Sequence, residues 1–149
     1  MVTLAACTEA PSMPAITESQ ALNRIDQLIH ESVSTLHPQP ELDLYRPSLN
    51  PALCVDATDG GSEKRIILNR RYYLRGVPKD RLIEVATQVK NHWESQGHLI
   101  VTHGFDIGRP DVSGRTRPDD FLLSLTWTEG DVLGIGATSP CVWSGVRGR

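Results

Sequence analysis

The chain has 149 residues and a formal net charge of −3, with 15 lysines and arginines against 18 aspartates and glutamates. That length suits one domain able to bury its own core. A balance this near neutrality sets aside a nucleic-acid partner, which would call for a basic face. No apolar run approaches the roughly 18 residues of a membrane-spanning helix.

The first feature along the chain is Leu4-Ala5-Ala6-Cys7, which has the form of a lipobox, the small-residue site where bacterial lipoprotein precursors are acylated on cysteine and cut just before it. A working secretion signal needs a basic start and about 7–15 apolar residues ahead of that site. Only six residues precede Cys7. The expectation is that translation starts further upstream, that residues 1–6 are the remnant of a signal peptide, and that Cys7 becomes the acylated N-terminus. There are three cysteines, and an odd count in an exported chain leaves one thiol to explain. Lipidation of Cys7 leaves Cys54 and Cys141 as a pair, whose disulfide would fit an oxidising compartment. Three unrelated thiols in a reducing compartment are the alternative. No two cysteines have the short spacing of a zinc knuckle.

Residues 7–15, with two prolines and several small residues, read as a tether. Thr17 with Gln20 forms a capping-box pattern. Beyond it Leu22, Ile25, Leu28, Ile29, Val33 and Leu36 recur at helical spacing, and Pro38 and Pro40 stop the helix. The proline-rich segment to Cys54 is expected to run extended over the surface, and Asp56 to Gly61 forms a turn. A strand is predicted over Lys64–Arg75, with Ile66, Leu68, Tyr72 and Leu74 on its inner face. Pro78 then opens a second helix, with Leu82, Val85, Ala86, Val89 and Trp93 as its buried stripe and Gly97 as its stop. His98–Phe105 reads as a second strand with Leu99, Val101, His103 and Phe105 on one face, which makes His103 a hydrogen-bonded core histidine. A long loop containing Gly108, Pro110, Gly114 and Pro118 leads to a third strand, Phe121–Thr128. A turn at Glu129–Asp131 leads to a fourth, Val132–Thr138. The expected fold for residues 16–149 is a single α+β domain. It is a two-layer sandwich in the order α-β-α-β-β-β, with two helices packed on one face of a mainly antiparallel four-stranded sheet.

The lipobox, the tether, Cys54 in "CVD", Trp93 with Gly97, "DDFLLSL" and "SPCVW" around Cys141 together resemble a group of small secreted actinobacterial lipoproteins without an assigned activity. The resemblance runs from Leu4 to Trp143. It implies an extracytoplasmic location, a lipid anchor at Cys7 on the outer face of the cell membrane, and a disulfide between Cys54 and Cys141. Asp120 stands where a glycine is more usual in that group.

Signatures of catalysis are absent from the sequence. There is no G-x-S-x-G elbow and no H-E-x-x-H pair. The stretch Gly134–Ser139 has no helix after it to bind a phosphate, so Gly134 and Gly136 are expected to allow close approach on the sheet's open face. Asp56 and Asp59 lack the regular oxygen spacing of a calcium loop. No cofactor or metal is implied. The best candidate for a binding surface is Arg71, Tyr73 and Arg75, which alternation places together on the solvent face beside Thr102, Ser124 and Thr126. The loop arginines Arg109, Arg115 and Arg117 are candidates to extend it. The plainer alternative is a solvated strand whose charges protect an edge. Two functions follow: a non-catalytic, membrane-anchored module binding an anionic envelope component or protein partner, or a small extracytoplasmic enzyme, such as a hydrolase, with a loop-borne site.

Overall fold

A computed structural model describes residues 16–54, 65–105 and 108–144. Helix α1 (Glu18–Ser34) opens with the full capping box: Gln20 N–H donates to Thr17 Oγ1 at 3.1 Å, and Thr17 N–H donates to Gln20 Oε1 at 2.9 Å. Helix α2 (Leu82–Ser95) follows a 3-10 turn at Lys79–Arg81 and stops at Gly97, whose φ of +82° suits a residue without a Cβ. The α2 stripe is the expected one; α1 buries Ile25, Leu28, Ile29 and Val33 as expected, together with Ala21 and Ser32, while Leu22 is only partly buried. Where the helices meet, Trp93 Nε1–H donates to Ser32 Oγ at 2.7 Å, and that hydroxyl donates to the Leu28 carbonyl at 2.6 Å. A buried indole N–H and a buried hydroxyl thus satisfy each other.

The strands form two antiparallel sheets, not one of four strands. They are β1 (Glu41–Leu44), β2 (Ala52–Leu53), β3 (Arg65–Ile67), β4 (Asn69–Arg75), β5 (Leu99–Gly104), β6 (Asp111–Arg115), β7 (Leu122–Thr128), β8 (Val132–Thr138) and β9 (Val142–Trp143). The large sheet has the order β1-β4-β8-β7-β6-β5, and the small one β2-β3-β9. Both helices cover one face of the large sheet, so the layering is that of an α+β sandwich. Its core joins the helix stripes to Leu74, Val112, Phe121, Leu123, Leu125, Leu133, Ile135 and Ala137.

Three differences from the sequence expectation have physical causes. The segment expected to cross the surface contains edge strand β1, whose Glu41-Leu42-Asp43-Leu44 pairs with β4. The loop after the second strand contains β6, only five residues long, with Val112 and Gly114 turned inward. In β5 the register shifts between Ile100 and Thr102: before the shift Ile100 faces the inward Gly114, and after it His103 faces the inward Val112. Leu99, opposite Arg115, and Val101, at the shift, are exposed, and His103 is exposed too although it stands opposite the inward Val112 on this edge strand. His103 is no core histidine; its ring lies 6.1 Å from that of Phe105.

The small sheet is a continuation of the large one. Asn69 faces Thr138 on one side of the joint and Ile66 faces Val142 on the other, so two residues of one strand oppose three of its partner. This is a bulge. Ser139 bridges it: its N–H donates to the Leu68 carbonyl at 2.8 Å, and its Oγ accepts from Leu68 N–H at 2.9 Å. Pro140, which has no N–H to pair, occupies the interrupted position.

Cys54, directly after β2, is disulfide-bonded to Cys141, directly before β9, with α-carbons 5.8 Å apart. The bridge therefore joins the two strands that flank β3. The asparagine-like left-handed position at the β6–β7 turn is filled by Asp120, with φ of +58°. A glycine would carry no steric cost there. Removing the disulfide by a double Cys54→Ala/Cys141→Ala change should lower stability by about 2–5 kcal/mol, since it closes a long loop. Denaturant midpoints of the two chains test this, and peptide mapping without reduction should return one linked peptide pair.

Candidate functional site

Inner side chains of β4, β7 and β8 face the helices, so the alternate residues form the sheet's open face. Two rows cross it. One runs Asp43, Tyr73, Gly134, Thr126, Asp111; the next runs Arg71, Gly136, Ser124, Ser113, Thr102. Arg71, Tyr73 and Arg75 share this face, as does each of the three hydroxyl residues expected beside them.

The two glycines of β8 clear a lane in the middle of this face, and Arg71 lies in it. A Cβ on Gly134 would come within 2.9 Å of Arg71 Nη2. From there Nη2 donates to Thr126 Oγ1 at 2.6 Å, two strands away from its own backbone. Among the described residues Arg71 makes no ion pair. Its charge is thus held flat against the sheet, with a neutral hydroxyl as its side-chain partner.

Arg75 is compensated differently. Its Nε lies 3.0 Å from Asp43 Oδ2, each side chain about half exposed, and its guanidinium stacks 4.9 Å from the Tyr73 ring centre. Tyr45 meets the Tyr73 ring edge-on at 5.8 Å. A shallow hollow of about 360 Å³ opens beside this group, lined by Tyr73, Arg75, Thr128, Glu129 and Val132. Thr102 and Ser113 satisfy each other at 2.6 Å. Asp43 and Tyr45 were outside the sequence expectation, although the short alternation of Glu41 to Leu44 between Pro40 and Pro47 was a signal that could have found them.

The loop arginines do not form one patch. Arg115 is on the open-face side of β6 and pairs with Asp120 at 2.9 Å. Arg109 stacks 4.5 Å from the ring centre of Trp127, an inner residue of β7 packed against the core. Arg117 is exposed in the β6–β7 turn. Cys7, Asp56 and Asp59 lie outside the described residues.

A second polar cluster ties α1 to the β6–β7 turn. Arg24 Nε lies 2.8 Å from Asp119 Oδ2; Thr116 Oγ1 donates to Asp119 Oδ1 at 2.5 Å and accepts from Phe121 N–H at 2.9 Å. Burial alone would raise the Asp119 carboxyl, but the hydrogen bonds from Thr116 and Arg24 outweigh it and hold the group below the usual carboxylate range. Nearby His98 is pushed down by burial and then by the Arg24 charge, which favours its neutral form. These contacts fasten the turn and explain why Thr116 is fully buried. The chain was compared with protein-family models, curated proteins and solved structures, and none of these matches it.

A carboxyl depressed in the folded state contributes stability above its unfolded value, and that contribution is lost as pH falls through the folded one. Acid unfolding should therefore owe part of its steepness below about pH 4, the ordinary aspartate range, to Asp119. Asp119→Asn should flatten the stability curve in that window and leave its slope near neutrality unchanged, as followed by denaturant melts at stepped pH.

Proposed function

We propose that the protein is a lipid-anchored, extracytoplasmic binding module of the bacterial envelope, whose open sheet face takes an anionic envelope component. The single observation carrying this reading is the Arg71 guanidinium, pinned over Gly134 with no carboxylate partner among the described residues. An incoming carboxylate or phosphate supplies the charge that this arginine lacks, in the two-point contact suited to guanidinium. The Thr126 hydroxyl beside it, and Ser124 on the same face of β7, add groups that both donate and accept. Tyr73 adds an apolar ring at the rim. The Cys54–Cys141 disulfide supports a location outside the reducing cytoplasm. The lipobox supports anchorage through Cys7.

Two measurements test this. The mature chain recovered from the envelope should begin at Cys7, and its first peptide should carry the mass of attached acyl chains; an unmodified Cys7 thiol there would remove the anchor. Binding to purified acidic wall polymer should weaken by about tenfold or more in Arg71→Ala, given the 1.5–3 kcal/mol typical of hydrogen bonds to a charged group. Gly134→Ala should weaken it too, because the new methyl displaces the guanidinium while Arg71 itself remains. Binding that is unchanged in both variants, or insensitive to added salt, would count against this face as the site.

A further inference from the structure

The hollow beside Tyr73 adjoins the lane that holds Arg71. Tyr73 and Thr126 both face Gly134, and Thr128 faces Val132. Val132 and Thr128 stand two residues along their strands from Gly134 and Thr126, so all of them share the open face. Two strand residues span roughly 6–7 Å. The Arg71 guanidinium, flat over Gly134, is therefore one such step from Val132 at the floor of the hollow.

The lining has a definite chemistry. Val132, on the strand between β4 and β7, is its aliphatic side chain; the others carry hydroxyl, guanidinium or carboxylate groups. The Thr128 hydroxyl donates to the Val132 carbonyl at 2.6 Å, which leaves its oxygen able to accept. Arg75 gives its Nε to Asp43 and keeps its terminal nitrogens as donors. Among the described residues neither the Tyr73 hydroxyl nor the Glu129 carboxylate has a hydrogen-bond or ion-pair partner. Charge changes sign over this short distance. With Arg75 balanced by Asp43, Glu129 leaves the hollow negative, whereas the lane holds the Arg71 cation. Asp111, one strand beyond Thr126, forms no ion pair with Arg71 among the described residues.

We propose that the hollow takes a sugar-sized, hydroxylated unit joined to the anion that Arg71 holds, so that the ligand is a phosphorylated or carboxylated sugar and not a bare anion. The proposal rests on the assignment of an anion to Arg71 made above. Sugar hydroxyls both donate and accept, which matches acceptors on Thr128 and Glu129 and donors on Arg75. A single valine offers little to an acyl chain or an aromatic ring. The volume of about 360 Å³ is at the small end of the range for ligand sites, about 300–1,000 Å³, and has room for one such unit. Glu129 repels a second negative charge, which sets the direction of the ligand: anion in the lane, hydroxyls in the hollow.

The test measures dissociation constants of the full chain by titration calorimetry, for glucose 1-phosphate against inorganic phosphate and for glucuronate against acetate. In at least one pair the sugar should bind tighter by about tenfold or more, the effect of two or so net hydrogen bonds, and that pair identifies the anion. Val132→Phe fills the hollow with a residue that strand surfaces accept, and should erase the preference. Glu129→Ala, in the exposed β7–β8 turn, should reduce it severalfold. No preference in either pair, or a preference undiminished in both variants, would overturn the hollow as a sugar site and leave Arg71 as a site for the anion alone. A failure of the reading beneath it shows elsewhere, in wall-polymer binding that does not respond to Arg71→Ala.

Discussion

The pairing of β8 with β4 is the contact from which most of the structure follows. β8 lies inside the large sheet and is buried along most of its length. On one side it presents Leu133, Ile135 and Ala137 to the helices; on the other it presents Gly134 and Gly136 to the open face. A slip of one residue would exchange these sets, emptying the core and leaving three apolar side chains in water. The same register, carried past Ser139, sets the pairing of β3 with β9 and brings Cys141 to Cys54. It also sets the lane in which Arg71 lies. Core, disulfide and binding face are therefore not independent features, and a change that shifted β8 would disturb all three.

The parts of this fold legible in the sequence were those with a long, unbroken period. α1 and α2 each bury five apolar residues at helical spacing, α1 behind a full capping box and α2 before the Gly97 stop, and β7 and β8 alternate over seven residues. β1 and β6 were missed because each is short and sits among prolines and glycines, the residues that ordinarily mark loops. Their stability comes from pairing within the sheet and not from local preference, and a single sequence does not display pairing. β5 failed in another way. Its alternation is real, but the shift at Ile100–Thr102 breaks it, so Leu99 falls on the open face while His103 still stands opposite the inward Val112.

The candidate site was legible only as a direction. Alternation along β4 places Arg71, Tyr73 and Arg75 on one face, and the structure puts them there. What alternation does not carry is charge compensation. Arg75 acquires Asp43 from a strand thirty-odd residues earlier in sequence, Arg115 acquires Asp120 from its own turn, and among the described residues Arg71 acquires no carboxylate, its side chain donating to Thr126. Exposed ion pairs of this kind contribute little to stability, typically below about 1 kcal/mol. Their effect is to neutralise two of the three arginines on the face and leave one charge unbalanced at its centre.

The shift in β5 bears on how the molecule behaves in company. The opposite edge of the sheet, β1, carries Glu41 and Asp43 and is bracketed by Pro40 and Pro47, so both charge and missing donors discourage a neighbour from pairing there. β5, Leu-Ile-Val-Thr-His-Gly, has no lysine, carboxylate or proline. A straight strand of that composition is the template on which sheets add to sheets and fibrils grow. In this chain the extra residue at the shift interrupts the regular run of outward N–H and C=O groups. The irregularity that breaks the alternation of β5 thus also interrupts the edge on which another strand would add.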